Sequence, residues 1–326
     1  MFFCYRVIRR MDGKFSQSLV KLVKRLNCVT VSDALERGCQ PFFVENKQLG
    51  LVRPDFVTHL KQYTTIFDVV DGNNGENDSG KKPGIHLSSE FKTYGERTSA
   101  INGMLEDLRG KNVIQALTGW RDENYKLSQR FSDTPVLEVE RAGAGLFGLI
   151  QYGVHVNGYT KDQNGDVLMW IARRSKTKQT FPDMYDNMCA GGLAADLGIL
   201  ECVKKECKEE ASVSDEILSH LKFVGTLSYF YEDERGLFPE CQFLFDLHLP
   251  SDFKPLNADG EVGSFQLCSI AEVKKLMTEE NFKPNCAGVC LDFLIRHGHL
   301  NPDADPNISF YMEQLHAPLQ TYYSAR

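Results

Sequence analysis

"GGLAADLGILECVKKECKEEASV", the stretch from Gly191 to Val213, begins with a glycine pair and ends in a run of charged residues. Its apolar side chains recur at intervals of three and four, which predicts a helix with one buried face. That face consists of Leu200, Val203, Cys207 and Ala211. The helix therefore fixes the angles at which the charged residues project from the core.

Three glutamates lie close together on the remaining helix surface. At about 100° per residue, Glu206, Glu209 and Glu210 share an arc of roughly 100°, while the lysines fall on the far flank. An ordinary solvated helix face usually mixes the two signs of charge. Mg²⁺ favours carboxylate oxygens and keeps positions for water and substrate phosphates. The arrangement therefore permits a hard-cation site, for which Mg²⁺ is the expected cation and Mn²⁺ the alternative.

Residues upstream of the helix suit a phosphate group. Gly191 and Gly192 allow the backbone to approach an oxyanion closely, because glycine has no side chain. The run "IARRSKTKQTF" carries Arg173, Arg174 and Lys178, whose charges suit phosphate oxygens. Since side chains alternate across a strand, only one of the two adjacent arginines is expected to reach a substrate. Together these residues fit metal-assisted attack of water on a phosphorus–oxygen bond.

Composition and charge exclude several classes of protein. The chain has 326 residues, and its net charge of -7 argues against a nucleic-acid binder, which needs many basic contacts to phosphate. No apolar run reaches the length of a membrane span. The ten cysteines include no CxxC pair and indicate reduced thiols in a cytosol-like compartment. The expected partner is a small-molecule diphosphate in the cytoplasm, and the sequence does not indicate an oligomeric state.

Two regions are expected along the chain. After an N-terminal extension (1–14), short strands and helices predict a smaller accessory domain over 15–140 and a second domain over 141–326. In the second, "KDQNGD" contains the turn signal Asn164-Gly165 between two strand-like runs, and "EDERGLFPE" is expected to be a loop. "DGNNGENDSGKKPG", Asp71 to Gly84, has almost nothing to bury and is expected to be a mobile surface insertion.

The first thirty residues are strongly basic. Low acid content and basic amphipathic character suit mitochondrial targeting, which is the alternative to a cytoplasmic location. However, Leu19, Leu22, Val23 and Leu26 recur at helical spacing, and this is the commoner pattern of a packed helix.

The stretch from Gly191 to Val213 resembles the Nudix box, in which a glycine is followed at fixed spacing by a glutamate and then by Arg-Glu-apolar-x-Glu-Glu-x-Gly-apolar. The matching positions are Gly191, Glu206, Cys207, Glu209, Glu210 and Val213. Leu197 replaces the early glutamate, Lys205 the arginine and Ser212 the last glycine. Glutamate and arginine usually form a structural pair in the family, and here Glu201 is placed to pair with Lys205 at i, i+4.

The resemblance covers nearly the whole chain after about residue 15. "ERAGAGLFGLIQYGVHVNGY" and "ARRSKTKQTFPDMYDNMCAGGL" are similar to the Nudix branch related to thiamine pyrophosphokinase, and "FFVENKQLGLVRPDF" to the domain that precedes Nudix there. The resemblance implies an α/β (α+β) protein: a Nudix α/β/α sandwich with a mixed sheet, preceded by a smaller α+β accessory domain. It also implies a pyrophosphohydrolase for metabolite repair, which converts damaged (oxo/oxy) thiamine diphosphate to the monophosphate plus phosphate.

Roles for individual residues follow from this resemblance. Glu206 and Glu210 are the expected principal metal ligands, and Glu209 is a third ligand or the base that orients water. Glu261 in "DGEVGSF" is the second candidate for the base, because Nudix enzymes often recruit it from a loop beyond the box; its alternative role is a solvated turn carboxylate. The expected substrate-binding residues are Arg173, Arg174, Lys178, Gly191 and Gly192.

Three other functions stay open at this point. An isomerase resembling the isopentenyl diphosphate isomerases would require Cys189 as an essential residue. A degenerate box would leave a non-catalytic protein that binds thiamine diphosphate. A Nudix hydrolase could also act on another nucleoside-diphosphate-type substrate. "WRDE", Trp120 to Glu123, is a further segment that could close over the substrate from the first domain, although core packing of Trp120 is the simpler expectation.

Overall fold

The computed structural model describes residues 13–70 and 80–324. Most of the predicted mobile insertion, residues 71–79, lies outside the described residues, as does nearly all of the predicted N-terminal extension. Within the described parts, no helix is both long and apolar enough to cross a membrane. Every cysteine that these parts contain is a free thiol.

Helices and strands alternate along the chain. The helices are α1 (Gly13–Leu26), α2 (Val31–Glu36), α3 (Pro54–Leu60), α4 (Tyr94–Gly110), α5 (Arg141–Ala144), α6 (Ile199–Ala211), α7 (Asp215–Leu218), α8 (Ile270–Leu276), α9 (Pro284–Arg296), α10 (Ile308–Gln314) and α11 (Leu319–Ser324). The strands are β1 (Gln40–Val44), β2 (Lys47–Val52), β3 (Phe67–Val70), β4 (Gly84–Leu87), β5 (Asn124–Leu127), β6 (Leu137–Glu140), β7 (Gln151–Lys161), β8 (Val167–Arg174), β9 (Tyr185–Asp186), β10 (Cys189–Gly192), β11 (Lys222–Asp233), β12 (Gly236–His248) and β13 (Val262–Ser269).

The first region is built on a four-stranded sheet of order β2-β1-β4-β3. Its apolar face packs with α3 and α4 around Phe42, Phe56 and Phe147, all at most 2% exposed. The Thr93 hydroxyl caps α4 by accepting a hydrogen bond from the Glu96 N–H, and the Glu96 carboxylate accepts one from the Thr93 N–H. This reciprocal capping fixes where the helix starts. A separate two-stranded sheet, β5-β6, follows α4.

The second region is a mixed sheet between helices. The strand order is β11-β12-β7-β8-β13, with β10 paired to β7 and β9 to β8. Strands β12 and β7 are parallel, whereas β7 and β8 form the predicted hairpin, whose turn contains Gly165 at a φ of 85°. Helix α6 belongs to one core cluster on this sheet, and α9 and α1 belong to another. The predicted mixed α/β fold is confirmed.

The prediction that "EDERGLFPE" forms a loop is wrong. Strand β11 runs to Asp233 and β12 starts at Gly236, so only Glu234 and Arg235 connect them. Gly236 has a φ of 147°, which only glycine adopts readily. Leu237 is fully buried and its backbone N–H donates to the Gly145 carbonyl. Burial against the first region therefore extends the strand pairing into a segment whose composition suggested a loop.

The packing units differ at both ends from the sequence limits 15–140 and 141–326. Helix α1 packs its Leu19, Val23 and Leu26 into the core of the second region, next to α9. Conversely, Ala144 and Leu149 belong to the core of the first region. The chain therefore crosses between the two regions near each of these points.

An apolar cluster joins the two regions. Val31 and Leu51 of the first region meet Phe230 and Leu237 of the second, and Tyr323 of α11 completes the cluster. At its edge, Arg37 and Arg53 both lie within ion-pair distance of Glu232. The interface between the two regions is thus apolar at this cluster and charged at its edge.

Replacing Leu19 by alanine tests the packing of α1. Leu19 is fully buried, so Leu19→Ala should lower the free energy of unfolding by about 3 kcal/mol through lost burial and the cavity left behind. The matched control, Lys21→Ala, changes an exposed residue of the same helix and should alter it by less than about 0.5 kcal/mol. Urea unfolding measures both, and equal effects would show that α1 is not part of the core.

Candidate active site

Helix α6 carries its glutamates beside its buried apolar residues, and Glu210 is buried with them. Cys202, Val203, Cys207 and Ala211 are fully buried in the cluster beneath the helix. Leu200, which the helical spacing placed on this face, is instead 61% exposed, whereas Cys202, which lies on the other side of Glu206, is fully buried. The buried face of α6 is therefore shifted toward the glutamates, compared with the face that the apolar spacing predicted.

Two of the three glutamates are held against strand β10. Glu210 is 5% exposed and accepts a hydrogen bond from the Ala190 N–H at 2.8 Å. The carboxylate of Glu206 rests against the α carbon of Gly191, in space that any side chain at that position would fill. Gly191 is therefore required for steric reasons, because it makes room for a carboxylate.

Burial disfavours the charged forms of these two carboxylates. Burial raises the pKa of Glu206 to about 7. The positive charge of Lys205 lowers this pKa, and the negative charges of Glu209 and Glu261 raise it. Burial also raises the pKa of Glu210 well above its ordinary value, and the charge of Glu206 adds to this. Burial is the larger cause of both shifts, and the neighbouring carboxylates add to it.

Glu209 lies at the edge of this group. Its side chain is 46% exposed, and the Lys205 ammonium lies 3.4 Å from it and 4.0 Å from Glu206. Lys205 thus turns toward Glu206 and Glu209 rather than toward Glu201, with which we expected it to pair. Leu197, at the position of the early glutamate in the Nudix box, packs against the apolar cluster beneath α6.

A loop brings Glu261 to the same place. The Ala258 N–H donates to the Glu209 carbonyl at 3.0 Å, and the Leu256 N–H donates to the Ala211 carbonyl at 3.2 Å. Ser212 ends α6 in the left-handed region, at a φ of 52°, and its hydroxyl donates to the Leu256 carbonyl. Glycine suits such a position. Ser212 adopts this left-handed conformation, and its hydroxyl provides a hydrogen bond that holds the loop against α6.

Lys178 forms an ion pair with Glu261. Partial burial opposes ionisation of Glu261, but the Lys178 ammonium overcomes it and holds the pKa of Glu261 below its ordinary value. Glu261 is therefore a carboxylate at neutral pH, beside a cation that a phosphate oxygen could also engage.

The two adjacent arginines are already committed to protein partners. Arg173 donates two hydrogen bonds to Asp183, at 2.9 and 3.0 Å, and its guanidinium lies over the Tyr185 ring. Arg174 is 8% exposed; it donates to Asp186 at 2.8 Å and to the carbonyls of Phe181 and Thr180. Arg174 therefore holds the segment that follows Lys178, and Arg173 lies outside the cleft described next.

A cleft of about 940 Å³ is lined by residues of both regions. The second region contributes Lys178, Gly191, Gly192, Arg174, Lys205, Glu206, Glu209 and Glu261. The first contributes Arg121, Glu123 and Tyr125, together with Arg141. The structure thus brings the predicted residues together around one cleft, with Arg173 outside it and Glu210 buried behind Ala190.

The sequence did not identify several residues of this cleft. Arg141 and Lys283 are 142 positions apart in the numbering, and both line it. Glu240 lies on its floor, where it accepts hydrogen bonds from Tyr229, Tyr231 and Gln242. No local motif marks these residues, because strand pairing and domain packing bring them together.

The carboxylates of α6 fit a divalent cation. Among the described residues, Lys205 is the only cation within ion-pair distance of Glu206, and none is that close to Glu210. Buried negative charge without a partner is costly, and a bound cation would offset that cost. The ligands would be carboxylate oxygens, which Mg²⁺ and Mn²⁺ prefer.

Comparisons with known proteins agree with this geometry. A family model described as "NUDIX domain" matches residues 151–286, and one described as "Domain of unknown function (DUF4743)" matches residues 18–151. Nudix hydrolase 20, chloroplastic, from Arabidopsis thaliana is 35% identical over 272 residues, 83% of this chain and 71% of that protein. This chain belongs to the Nudix hydrolase family.

Two further relatives extend the match. Nudix hydrolase 24, chloroplastic, from the same plant is 34% identical over 272 residues, again 83% of this chain and 71% of the relative. An uncharacterised protein of Saccharomyces cerevisiae is 38% identical over 246 residues, 72% of this chain and 71% of that protein. The chain is therefore a Nudix pyrophosphohydrolase, an enzyme type that uses divalent metal ions and takes small-molecule diphosphates.

Within the described residues, another group lies close enough to suggest a metal: His155, Asp186 and Cys286. Asp186, however, already lies 2.8 Å from Arg174 and 3.8 Å from Lys283. Burial lowers the pKa of His155 to about 4, and burial raises the pKa of the Cys286 thiol, which donates to Asp186. The group is better described as a buried ion network that supports the floor of the cleft in the Nudix domain.

Replacing Asp186 tests this network. Asp186→Asn should lower the free energy of unfolding by about 3 kcal/mol, because it leaves two buried cations without their carboxylate. The control is Asp183→Asn, which removes the half-exposed partner of Arg173 and should cost less than about 1 kcal/mol.

The same residue makes stability depend on pH. Burial opposes ionisation of Asp186, but Lys283 and Arg174 hold its pKa well below 3.8. Its stabilising contribution is therefore present above about pH 4 and lost as pH falls through the folded-state pKa. In urea unfolding, the wild type and Asp186→Asn should differ most at neutral pH and converge in acid. A constant difference would contradict the ion network.

Replacing Glu210 tests the charge on α6. A group whose folded pKa is raised weakens folding when it is ionised, so Glu210→Gln should raise the melting temperature at pH 8 in a chelator, by about 2 °C. Added Mg²⁺ should then stabilise the wild type but not the variant. The control is Glu201→Gln, on the exposed side of α6, which should respond to Mg²⁺ as the wild type does. An undiminished Mg²⁺ response in Glu210→Gln would exclude Glu210 as a ligand.

Proposed function

We propose that this Nudix enzyme hydrolyses damaged (oxo/oxy) thiamine diphosphate to the monophosphate plus phosphate, with Mg²⁺ as the cation and Mn²⁺ as the alternative. The observation that carries the reaction type is the cleft in which Glu206, Glu209 and Glu261 face basic side chains. The thiamine moiety comes from the resemblance of the sequence to the thiamine-pyrophosphokinase-related branch.

Two features of the cleft favour a nitrogen heterocycle beside the diphosphate. Phe181, Tyr231 and Phe238 supply aromatic surface, and the rings of Tyr231 and Phe238 stack at 5.0 Å. Glu240 is held on the floor by neutral donors, and among the described residues no cation lies within ion-pair distance of it. Its oxygens can accept from ring N–H or amino groups, or face a positively charged ring.

In the proposed reaction, the oxygen of a water molecule attacks the terminal phosphorus and the bond from that phosphorus to the bridging oxygen breaks. Glu206 and Glu210 would hold the cation, with Glu209 as a third ligand. The cation, when bound, polarises the phosphoryl group and favours deprotonation of water. The water proton passes to a carboxylate, for which Glu209 and Glu261 are the two candidates.

The ion pair of Lys178 with Glu261 suits a base that is activated by substrate. A phosphate oxygen entering the cleft competes for the Lys178 ammonium. When Lys178 turns to the phosphate, Glu261 loses the cation that lowers its pKa and becomes a stronger base. Gly191 and Gly192 also line this part of the cleft, and their backbone would contact the diphosphate, because the space of a side chain at each position is already filled.

The isomerase alternative depends on Cys189. Its thiol is fully buried in the cluster beneath α6, and burial raises its pKa well above the ordinary value. It does not line the cleft. This position favours a packing role, and it leaves another nucleoside-diphosphate-type substrate as the main competing proposal, with non-catalytic binding as the outcome if no turnover occurs.

The compartment also remains a proposal. We propose the cytoplasm, which suits the free thiols, with mitochondrial targeting as the alternative. Helix α1, the basic segment within the described residues, uses its apolar face to pack against α9.

A substrate panel tests the function. The wild type is incubated with oxidised thiamine diphosphate, intact thiamine diphosphate and ADP-ribose, with Mg²⁺ or Mn²⁺, and the monophosphate products are quantified by chromatography. The damaged cofactor should be cleaved fastest. Glu206→Gln and Glu210→Gln should each lose about 100-fold or more of kcat/KM, because metal-site changes have effects at least this large.

Glu201→Gln is the matched control for these two variants, since it removes a carboxylate from the same helix at an exposed position. It should retain wild-type activity. If ADP-ribose is cleaved faster than oxidised thiamine diphosphate, the substrate belongs to the competing class of nucleoside-diphosphate-type compounds. Binding of thiamine diphosphate without turnover by the folded wild type would refute hydrolysis of this substrate.

A further inference from the structure

We propose that the N-terminal domain completes the active site by supplying Arg121 as a ligand for the substrate diphosphate. This inference rests on the proposed function only in that the ligand is a diphosphate. It gives the domain before the Nudix domain a direct part in substrate binding.

The backbone around Arg121 is fixed by hydrogen bonds. The Arg121 N–H donates to Glu140, a carboxylate that is 1% exposed, at 2.9 Å. Glu140 also accepts from the Ala142 N–H, at 3.1 Å, and so joins the segment of Arg121 to the start of α5. The Arg121 Nε donates to the Gly119 carbonyl at 3.2 Å. The side chain therefore leaves a rigid anchor and lines the cleft.

Arg121 differs from the other arginines near the cleft in lacking an acidic partner. Arg141 pairs with Glu123 at 2.9 Å, and Arg174 with Asp186 at 2.8 Å. Among the described residues, no carboxylate lies within ion-pair distance of Arg121, and no acceptor is bonded to its two terminal nitrogens. A guanidinium fork with free N–H groups in a half-buried cleft is suited to two oxygens of a phosphate.

The surrounding charges also favour an anion at this position. Burial lowers the pKa of Arg121, and the positive charge of Arg141 acts in the same direction. Glu261 acts on Arg121 in the opposite direction, so the two side chains are close enough to interact across the cleft. Two arginines that repel each other beside the catalytic carboxylates would both be stabilised by a diphosphate between them.

The two domains meet close to the metal-site candidates. Gly192 follows Gly191 in β10, and a side chain at Gly192 would collide with the Tyr125 hydroxyl and the Arg141 guanidinium. Gly191 makes room for Glu206, and Gly192 makes room for side chains of the preceding region. The glycine pair thus allows carboxylates and arginines to approach the same strand. Among the described residues, no acceptor is bonded to the terminal nitrogens of Arg121, so they can bind a substrate.

The test compares Arg121→Gln and Arg121→Lys with a control arginine from the same domain. Arg130→Gln is the control, because Arg130 is 75% exposed and pairs only with the nearby Asp133. One measurement is KM and kcat for the best substrate of the panel. The other is calorimetric binding of methylenediphosphonate in Mg²⁺, since its P–C–P bridge cannot be hydrolysed. Thermal melting of each variant is recorded alongside.

Arg121→Gln should raise KM and the Kd for methylenediphosphonate roughly 10- to 100-fold, as expected for a lost hydrogen bond to a charged group. Arg121→Lys should recover part of the binding, because it keeps the charge without the fork. Arg130→Gln should match the wild type. If Arg121→Gln has a lower melting temperature than the wild type, only Arg121→Lys tests the proposal. Its Kd for methylenediphosphonate should still be clearly larger than that of the wild type.

The outcomes separate this proposal from the proposed function. Wild-type KM and Kd in a folded Arg121 variant would overturn the role of Arg121 while leaving hydrolysis intact. Absence of methylenediphosphonate binding by the wild type would overturn it as well. If the wild type binds methylenediphosphonate through Arg121 but cleaves none of the panel, the hydrolysis of these substrates fails and the binding role of Arg121 stands.

Discussion

The constraint on which the site depends is the burial of two carboxylates of one helix against a strand with no side chains. Glu206 occupies the space that Gly191 leaves open, and Glu210 takes the N–H of Ala190. Neither has enough positive charge beside it, so the protein in the absence of a ligand carries a local electrostatic cost. Such a cost is tolerated where a bound cation offsets it, and it is a common property of active sites. The apolar face of α6, the glycine pair and the Glu261 loop all serve to hold these charges in place.

Basic residues near the cleft divide according to their partners. Arg173, Arg174 and Arg141 each have a carboxylate, and Arg174 also holds two carbonyls of the segment after Lys178. A guanidinium group that already pairs with a carboxylate is better suited to holding neighbouring segments in place than to binding a further anion. Lys178 and Lys205 are different, because they contact carboxylates that line the cleft. Arg121 is different as well, because among the described residues no acceptor is bonded to its terminal nitrogens. Substrate binding therefore depends less on how many basic residues surround the cleft than on which of them a phosphate can recruit.

The interface between the two regions shapes the cleft. An apolar cluster that includes Leu51, Phe230 and Leu237 fixes the regions against each other, and the close passage of Gly145 and Gly236 brings their backbones together. Helix α1 reaches across and packs under the second sheet. A rigid interface is what allows side chains from the first region to be placed accurately beside the Nudix carboxylates. Side chains of the N-terminal domain therefore line the cleft together with the Nudix carboxylates.

The sequence by itself determined the local features: helix α6 with its grouped glutamates and the hairpin at Asn164-Gly165. These follow from periodicity and turn chemistry, which act over a few residues. The mixed α/β class was expected from the resemblance of longer stretches of the sequence to the Nudix family. Only the tertiary structure decided that Leu200 is exposed, that "EDERGLFPE" continues two strands, and that Lys205 faces Glu209. It alone showed that Arg173 and Arg174 are paired with carboxylates, while within the described part of the chain no acceptor is bonded to the terminal nitrogens of Arg121. Those outcomes depend on which distant groups compete for each side chain, and that competition is settled by packing between segments far apart in the chain.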